Sequence, residues 1–280
     1  MESMGKIGRG WQLTKMSLRI IRKDKEILIF PVLSGLITIL ILLSFVLGAF
    51  FAVGVSGLED ATASWVFYLF WIVFYFTAFF VSIFFNVCII GCATIRMNGG
   101  NPTVRDGIRI AKENLGRILA WTLVTATVGL IIRAIQERVG FVGKLIMGAI
   151  GVAWTIVTYF VVPVLIYEHL GPWASVKRSA SIFKKTWGET LVGNLGIGVI
   201  FVLLAMPGVL LIFVAVAGLI TWGLVAGMAI LAAAVIYIVI VAVIASAAEA
   251  VLVAALYRFA TTGQVSEEFQ GFAFEKPFVT

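Results

Sequence analysis

Residues 8–31 read GRGWQLTKMSLRIIRKDKEILIFP. Two regimes meet inside this stretch. In its first part Thr14, Leu18 and Ile21 stand at i, i+4 and i+7, and Trp11 and Ile7 extend the stripe backwards. A cation follows each of the three at once: Lys15, Arg19 and Arg22. Only a helix places that spacing on one face. From Ile27 the charges stop, and none returns before Glu59. A basic amphipathic helix therefore feeds an apolar run that exceeds the roughly 20 residues needed to cross a bilayer.

The second regime dominates the remainder. Of 280 residues, 61% are hydrophobic and only 12% charged, against roughly 25% charged in a soluble domain. The bilayer is the main solvent of this chain. The net charge of +7 sits in segments between apolar runs, so anionic lipid head groups are the expected counterpart and nucleic acid is not. The basic region runs to Lys25 and the apolar run behind it is too long for a signal peptide, so the first span is read as retained.

Charge-free runs predict six spans, at about 31–53, 66–95, 117–136, 145–167, 190–216 and 227–257. The long run Thr190 to Ala248 holds two, with a turn expected between Gly218 and Gly227. With the N-terminus inside, all but three of the 21 Lys and Arg residues fall in inner segments. The exceptions are Arg133, Arg138 and Lys144. That asymmetry predicts cytoplasmic N- and C-termini for a multi-pass protein of the plasma membrane. Trp65 and Trp222 are expected at the outer interface, with Glu59 and Asp60 in the first outer loop.

The opening stretch recurs. Shifted by 90 residues, its stripe becomes Val104, Ile108 and Ala111, and its cations Arg105, Arg109 and Lys112. Shifted by 72 more, the stripe becomes Val176, Ala180 and Phe183, with Lys177 and Lys184 behind. Ile20, Ile110 and Ile182 match, and Ser17, Gly107 and Ser179 are all small. Two explanations stand: a true repeat, or three juxtamembrane helices made alike by helical periodicity and the inside-positive rule. The expected fold is all-α, a polytopic membrane bundle of six transmembrane helices in three hairpins, each led by a basic amphipathic helix lying along the cytosolic leaflet. It forms one membrane domain over 1–280, with units at about 5–97, 98–169 and 170–258 and a cytosolic tail at 259–280. Punctuation agrees: Pro31, the run Asn98-Gly99-Gly100-Asn101-Pro102, and Gly171-Pro172. Pro207-Gly208 is expected to kink the fifth span, freeing backbone groups that neighbours must satisfy.

Few residues offer chemistry. Glu249 is the acid inside the last apolar run, and intramembrane carboxylates are costly and often functional. It reads either as a proton- or cation-linked site or as a structural partner of a basic helix. Asn194 is its candidate neighbour. Ala242, Ser246, Ala250 and Ala254 form a small-residue stripe for close helix packing, within the bundle or across an oligomer. Cys88 and Cys92 stand at i, i+4 but lack the three or four ligands a metal needs, so they read as packing. Asp24, Glu26, Asp106, Glu113 and Glu168 read as helix-end charge compensation. The chain has one histidine, His169, and lacks GxSxG, Walker and HExxH patterns. No enzyme activity, metal or cofactor is expected.

Gly8-Arg9-Gly10-Trp11, Lys15, Ser17 and the run Arg22 to Gly35 resemble the opening of an uncharacterised six-helix membrane protein family of archaea and bacteria. The likeness continues through Gly171-Pro172, Ser179 and Trp187-Gly188. It implies the six-helix fold and carries no activity. A weaker similarity is to the membrane regions of glycerophosphodiester phosphodiesterases, whose catalytic barrel is absent from this chain. The functional expectation is a non-enzymatic membrane protein. Its cytosolic basic collar of Lys15, Arg19, Arg22, Arg105, Arg109, Lys112, Lys177 and Lys184 engages anionic lipids or a protein partner, with a homo-oligomer also open. The alternative is a transporter or channel for a small or lipidic solute, using the kinked fifth span and Glu249.

Overall fold

The computed structural model describes residues 6–53, 65–265 and 267–269. These form nine α-helices: α1 (Lys6–Lys23), α2 (Ile29–Val53), α3 (Trp65–Met97), α4 (Val104–Glu113), α5 (Leu115–Arg138), α6 (Phe141–Thr158), α7 (Val161–Tyr167), α8 (Pro172–Thr221) and α9 (Leu224–Thr262). Short 3₁₀ turns lie at Lys25–Leu28 and Glu267–Phe269, and no strand occurs among the described residues. Six stretches are long and apolar enough to cross a membrane: Lys25–Gly48, Tyr68–Met97, Leu115–Arg138, Phe141–Tyr167, Gly196–Thr221 and Leu224–Thr262. The all-α fold of three hairpins, each led by a basic amphipathic helix, is present. Glu59, Asp60 and the tail beyond Phe269 fall outside the described residues, as does the side chain of Trp65. Trp222 is exposed.

Local chemistry explains the punctuation. α3 stops at a Schellman motif: Gly99 takes φ +83°, its N–H reaches the Arg96 carbonyl at 2.8 Å, and the Gly100 N–H reaches the Ile95 carbonyl at 3.0 Å. α4 starts at a capping box. The Asp106 N–H donates to Thr103 Oγ1 at 3.3 Å while the Thr103 N–H donates to Asp106 Oδ2 at 3.0 Å. The turn between α8 and α9 falls inside the expected window, where Gly223 takes φ +91° and ψ 166°, a conformation open to glycine alone.

Two boundaries differ from expectation. The fourth span is not one helix, because α6 and α7 part at Tyr159–Phe160. There the Ser179 hydroxyl accepts a hydrogen bond from the Phe160 N–H at 2.9 Å. Pro163 then sits in the first turn of α7, where its missing N–H costs nothing. In α8 the third amphipathic helix and the fifth span run together, and the non-helical residue between them is Thr186 (φ −121°, ψ 17°). The backbone keeps helical angles through Pro207. The Tyr237 hydroxyl donates to the Leu204 carbonyl at 2.6 Å, in the turn that precedes the proline.

The chain divides into two compact units, one comprising Met1–Leu28, Ala93–Pro102 and Lys185–Thr280, the other Ile29–Cys92 and Thr103–Lys184. In the first unit α1 packs along α9. Leu13, Met16, Ile20 and Ile21 of α1 are buried, as is the run Ala250 to Tyr257 of α9. α1 also crosses α8 so closely that a Cβ on Gly196 would overlap the Gly10 Cα. Much of the apolar face of α1 is therefore covered by protein, while Trp11 on the same stripe is exposed. Gly10 and Gly196 let backbones meet, and α9 supplies an apolar partner. The turn at Glu267–Phe269 packs on α1 and Phe269 is buried.

In the second unit Trp121 stacks on Trp154 at 6.1 Å between centroids. Trp121, Val161 and Leu165 form a cluster joined by Ile83, Val124 and Val176. α4 seats on α3 through Gly107. A Cβ there would lie 2.6 Å from Phe30 Cζ and 3.0 Å from Cys92 Sγ. Cys88 and Cys92 are buried and form no disulfide, and Cys92 Sγ lies 3.6 Å from the Thr103 carbonyl oxygen.

Candidate functional site: basic helices and their buried polar junctions

The eight cations expected to form the collar are all exposed. Lys15, Arg19 and Arg22 lie on α1, Arg105, Arg109 and Lys112 on α4, and Lys177 and Lys184 on the first part of α8. Their stripe neighbours turn the other way: Thr14, Ile21 and Ala111 are buried, and Leu18, Val104, Ile108, Val176, Ala180 and Phe183 are half-buried. Lys15 Nζ sits 5.0 Å from the Trp11 ring centroid, and Arg109 bonds Asp106 at 2.9 Å. The other six make no ion pair among the described residues. Within each helix the cations form an exposed basic face.

The sequence reading missed what lies behind these helices. Each basic helix ends at a buried polar residue in the same register: Asp24, Asn114 and Thr186, offset by the 90 and 72 residues that relate the stripes. Asn114 (φ −106°, ψ 13°) and Thr186 (φ −121°, ψ 17°) even share a backbone conformation. Asn114 holds its break by donating from Nδ2 to the Ile110 carbonyl at 2.9 Å and accepting from Arg117 at 2.9 Å. The signal was available, since the offsets found from the stripes point straight at three polar residues. Neither hydropathy nor charge bias demands a buried polar break at these positions.

Charge pairs tie the helix ends. In the first unit Arg96, at the end of α3, makes a two-pronged pair with buried Asp24 and donates to Asn101 at 2.7 Å. Arg258 of α9 donates to the Met97 carbonyl, a terminal group that the α3 ladder leaves open. In the second unit Arg178 holds both Glu168 oxygens, at 2.8 and 2.9 Å. Asp24, Asp106 and Glu168 thus compensate charge at helix ends. Thr103 hydrogen bonds to the Asp106 carboxylate, with smaller help from Arg109, hold it below the usual aspartate range.

Glu249 lies within α9, nine residues or about 13 Å before Arg258 at 1.5 Å per residue. It is exposed, with Ala247, Ala248 and Ala250 buried beside it, and has no hydrogen bond or ion pair among the described residues. The side chain of Asn194 lies outside the described residues, so the suggested pairing of the two has no structural counterpart to report. The small-residue stripe divides: Ala250 and Ala254 are buried, Ala242 and Ser246 exposed. No group of three metal-ligating side chains occurs among the described residues.

No curated protein and no solved structure matches the chain, and the similarity to glycerophosphodiester phosphodiesterase membrane regions gains no support. One family model does match, over residues 61–267, a span that includes the second and third basic helices with their hairpins. The chain belongs to that family, a family of unknown function (DUF6159).

Proposed function

We infer that this protein is a non-enzymatic, multi-pass component of the plasma membrane, with both termini cytoplasmic, whose three basic helices engage anionic lipid head groups. One observation carries the reading: all eight collar cations are exposed while the stripes beside them turn inward. Each helix is thereby fixed by its inner face and free to present charge on its outer one. Cations close to a membrane surface gain about 1 kcal/mol each from anionic lipid, so a collar of eight is a strong orienting and lipid-selecting device. The buried Asp24–Arg96 pair and the Arg258 cap hold the ends of α1, α3 and α9 together without consuming any collar cation.

The test is lipid selectivity. Full-length protein extracted in detergent is expected to be stabilised far more by phosphatidylglycerol than by phosphatidylcholine. The preference should shrink as salt shortens the Debye length. Replacing Lys15, Arg105 and Lys177 together by Gln is expected to abolish most of the preference. Equal stabilisation by both lipids would overturn the reading. Solute flux that Glu249→Gln abolishes would replace it with the transporter alternative.

A further inference from the structure

Trp11, read from the sequence as the backward extension of the first stripe, is instead exposed, and Trp173 at the equivalent position of the third basic helix is exposed as well. Trp11 is 45% exposed and Trp173 is 61% exposed. Every other large apolar side chain described between Gly10 and Ile21 is buried or half-buried. Each tryptophan stands four residues before an exposed lysine, Lys15 and Lys177. The two pairs occupy one register, because the 90 and 72 residue offsets carry Trp11 onto Trp173 and Lys15 onto Lys177. The middle copy has Asn101 and Arg105 there, and Asn101 is engaged by Arg96 at 2.7 Å. On α1 the ammonium already lies over the ring, 5.0 Å from its centroid.

We propose that Trp11 with Lys15, and Trp173 with Lys177, are two equivalent anchors for an anionic phospholipid, and that the middle copy lacks the aromatic half. The chemistry is complementary. An indole ring is favoured at head-group level, where one edge is apolar and the other wet. An ammonium one helical turn away on the same face meets the phosphate. Cation–π attraction holds the lysine over the ring while it is unpaired. The chain also enters its first span directly behind α1, through the four-residue turn Lys25–Leu28, so α1 has little slack to leave the interface. This inference rests on the lipid-collar reading and names where on the collar a lipid is held.

The test uses the full chain in vesicles of phosphatidylcholine alone or mixed equally with phosphatidylglycerol. Subtracting the emission of Trp11→Phe, and separately of Trp173→Phe, isolates each ring. Both rings are exposed, so these variants remove little packing. Each difference signal is expected to be quenched by lipids brominated near the head of the chain more than by deeply brominated ones, and to be shielded from aqueous iodide. Lys15→Gln and Lys177→Gln are expected to reduce the extra quenching that phosphatidylglycerol brings. Strong iodide quenching with none from bromolipid would overturn the anchors and, if lipid selectivity persisted, leave the collar standing. Equal bromolipid quenching in both vesicle types would overturn the assignment to an anionic head group.

Discussion

At the scale of single residues, Asp24 decides most. Its carboxylate is buried and paired with Arg96, whose side chain is itself only 19% exposed. Removing one partner of such a pair leaves a charge in a poor solvent, at about 3–5 kcal/mol. Asp24→Ala is therefore expected to lower the unfolding midpoint of detergent-solubilised protein sharply. The double variant Asp24→Ala, Arg96→Leu should recover part of the loss. Additive effects in this cycle would show that the pair is not coupled. Gly107→Ala should also destabilise, by about 1–3 kcal/mol as overpacking does, because the new methyl would meet Phe30 Cζ at 2.6 Å and the Cys88 carbonyl oxygen at 3.2 Å. The sequence showed Asp24 as an acid at a helix end and Gly107 as a small residue in register. It could not show their partners. Arg96 lies 72 residues away from Asp24, and no local periodicity links residues that meet only after a hairpin closes.

At the scale of elements, the spans were legible and the breaks less so. Apolar length alone locates a membrane helix, since every backbone group must be satisfied within it. Tyr159–Phe160 escaped notice although Pro163 announced it: a proline fits the first turn of a new helix and disrupts the middle of an old one. Pro207 lies inside α8, whose backbone keeps helical angles around it, and the Tyr237 hydroxyl supplies a donor to the Leu204 carbonyl in the turn before it. The capping box of α4 yields a pH prediction. The folded-state pKa of Asp106 is lowered, chiefly by hydrogen bonds from Thr103. Its contribution is thus fully present above the unfolded aspartate pKa and is lost as pH falls through the folded one. Amide exchange at Val104 to Gly107, corrected for intrinsic rates, should show protection falling with acid. In Asp106→Asn the dependence should vanish. Unchanged protection across that range in the wild type would contradict the role of the cap. At the other close crossing, Gly196→Ala should weaken the seat of α1, read as faster proteolysis near Gly10. Cleavage at the wild-type rate would mean that the crossing bears no load.

At the scale of the whole molecule, the proposed function takes the three basic helices with their hairpins as equivalent units. The stripes and cations suggest such a repeat, and the buried polar residues Asp24, Asn114 and Thr186 stand at the same offsets. What stayed hidden was that part of the apolar face of α1 packs on α9 while Trp11 stays exposed, because a stripe does not say whether lipid or protein will cover it. If the three units are equivalent, their basic faces must lie on the same side of the membrane. The most direct test places one cysteine at a time at the equivalent positions Lys15, Arg105 and Lys177, with a fourth at Arg138, in a background where buried Cys88 and Cys92 are replaced by Ala. Each variant is labelled in intact cells and in inverted vesicles with a maleimide that cannot cross the bilayer. The first three should label only in inverted vesicles and the fourth only in intact cells. Labelling of any one of the first three from outside would break the equivalence on which the account depends.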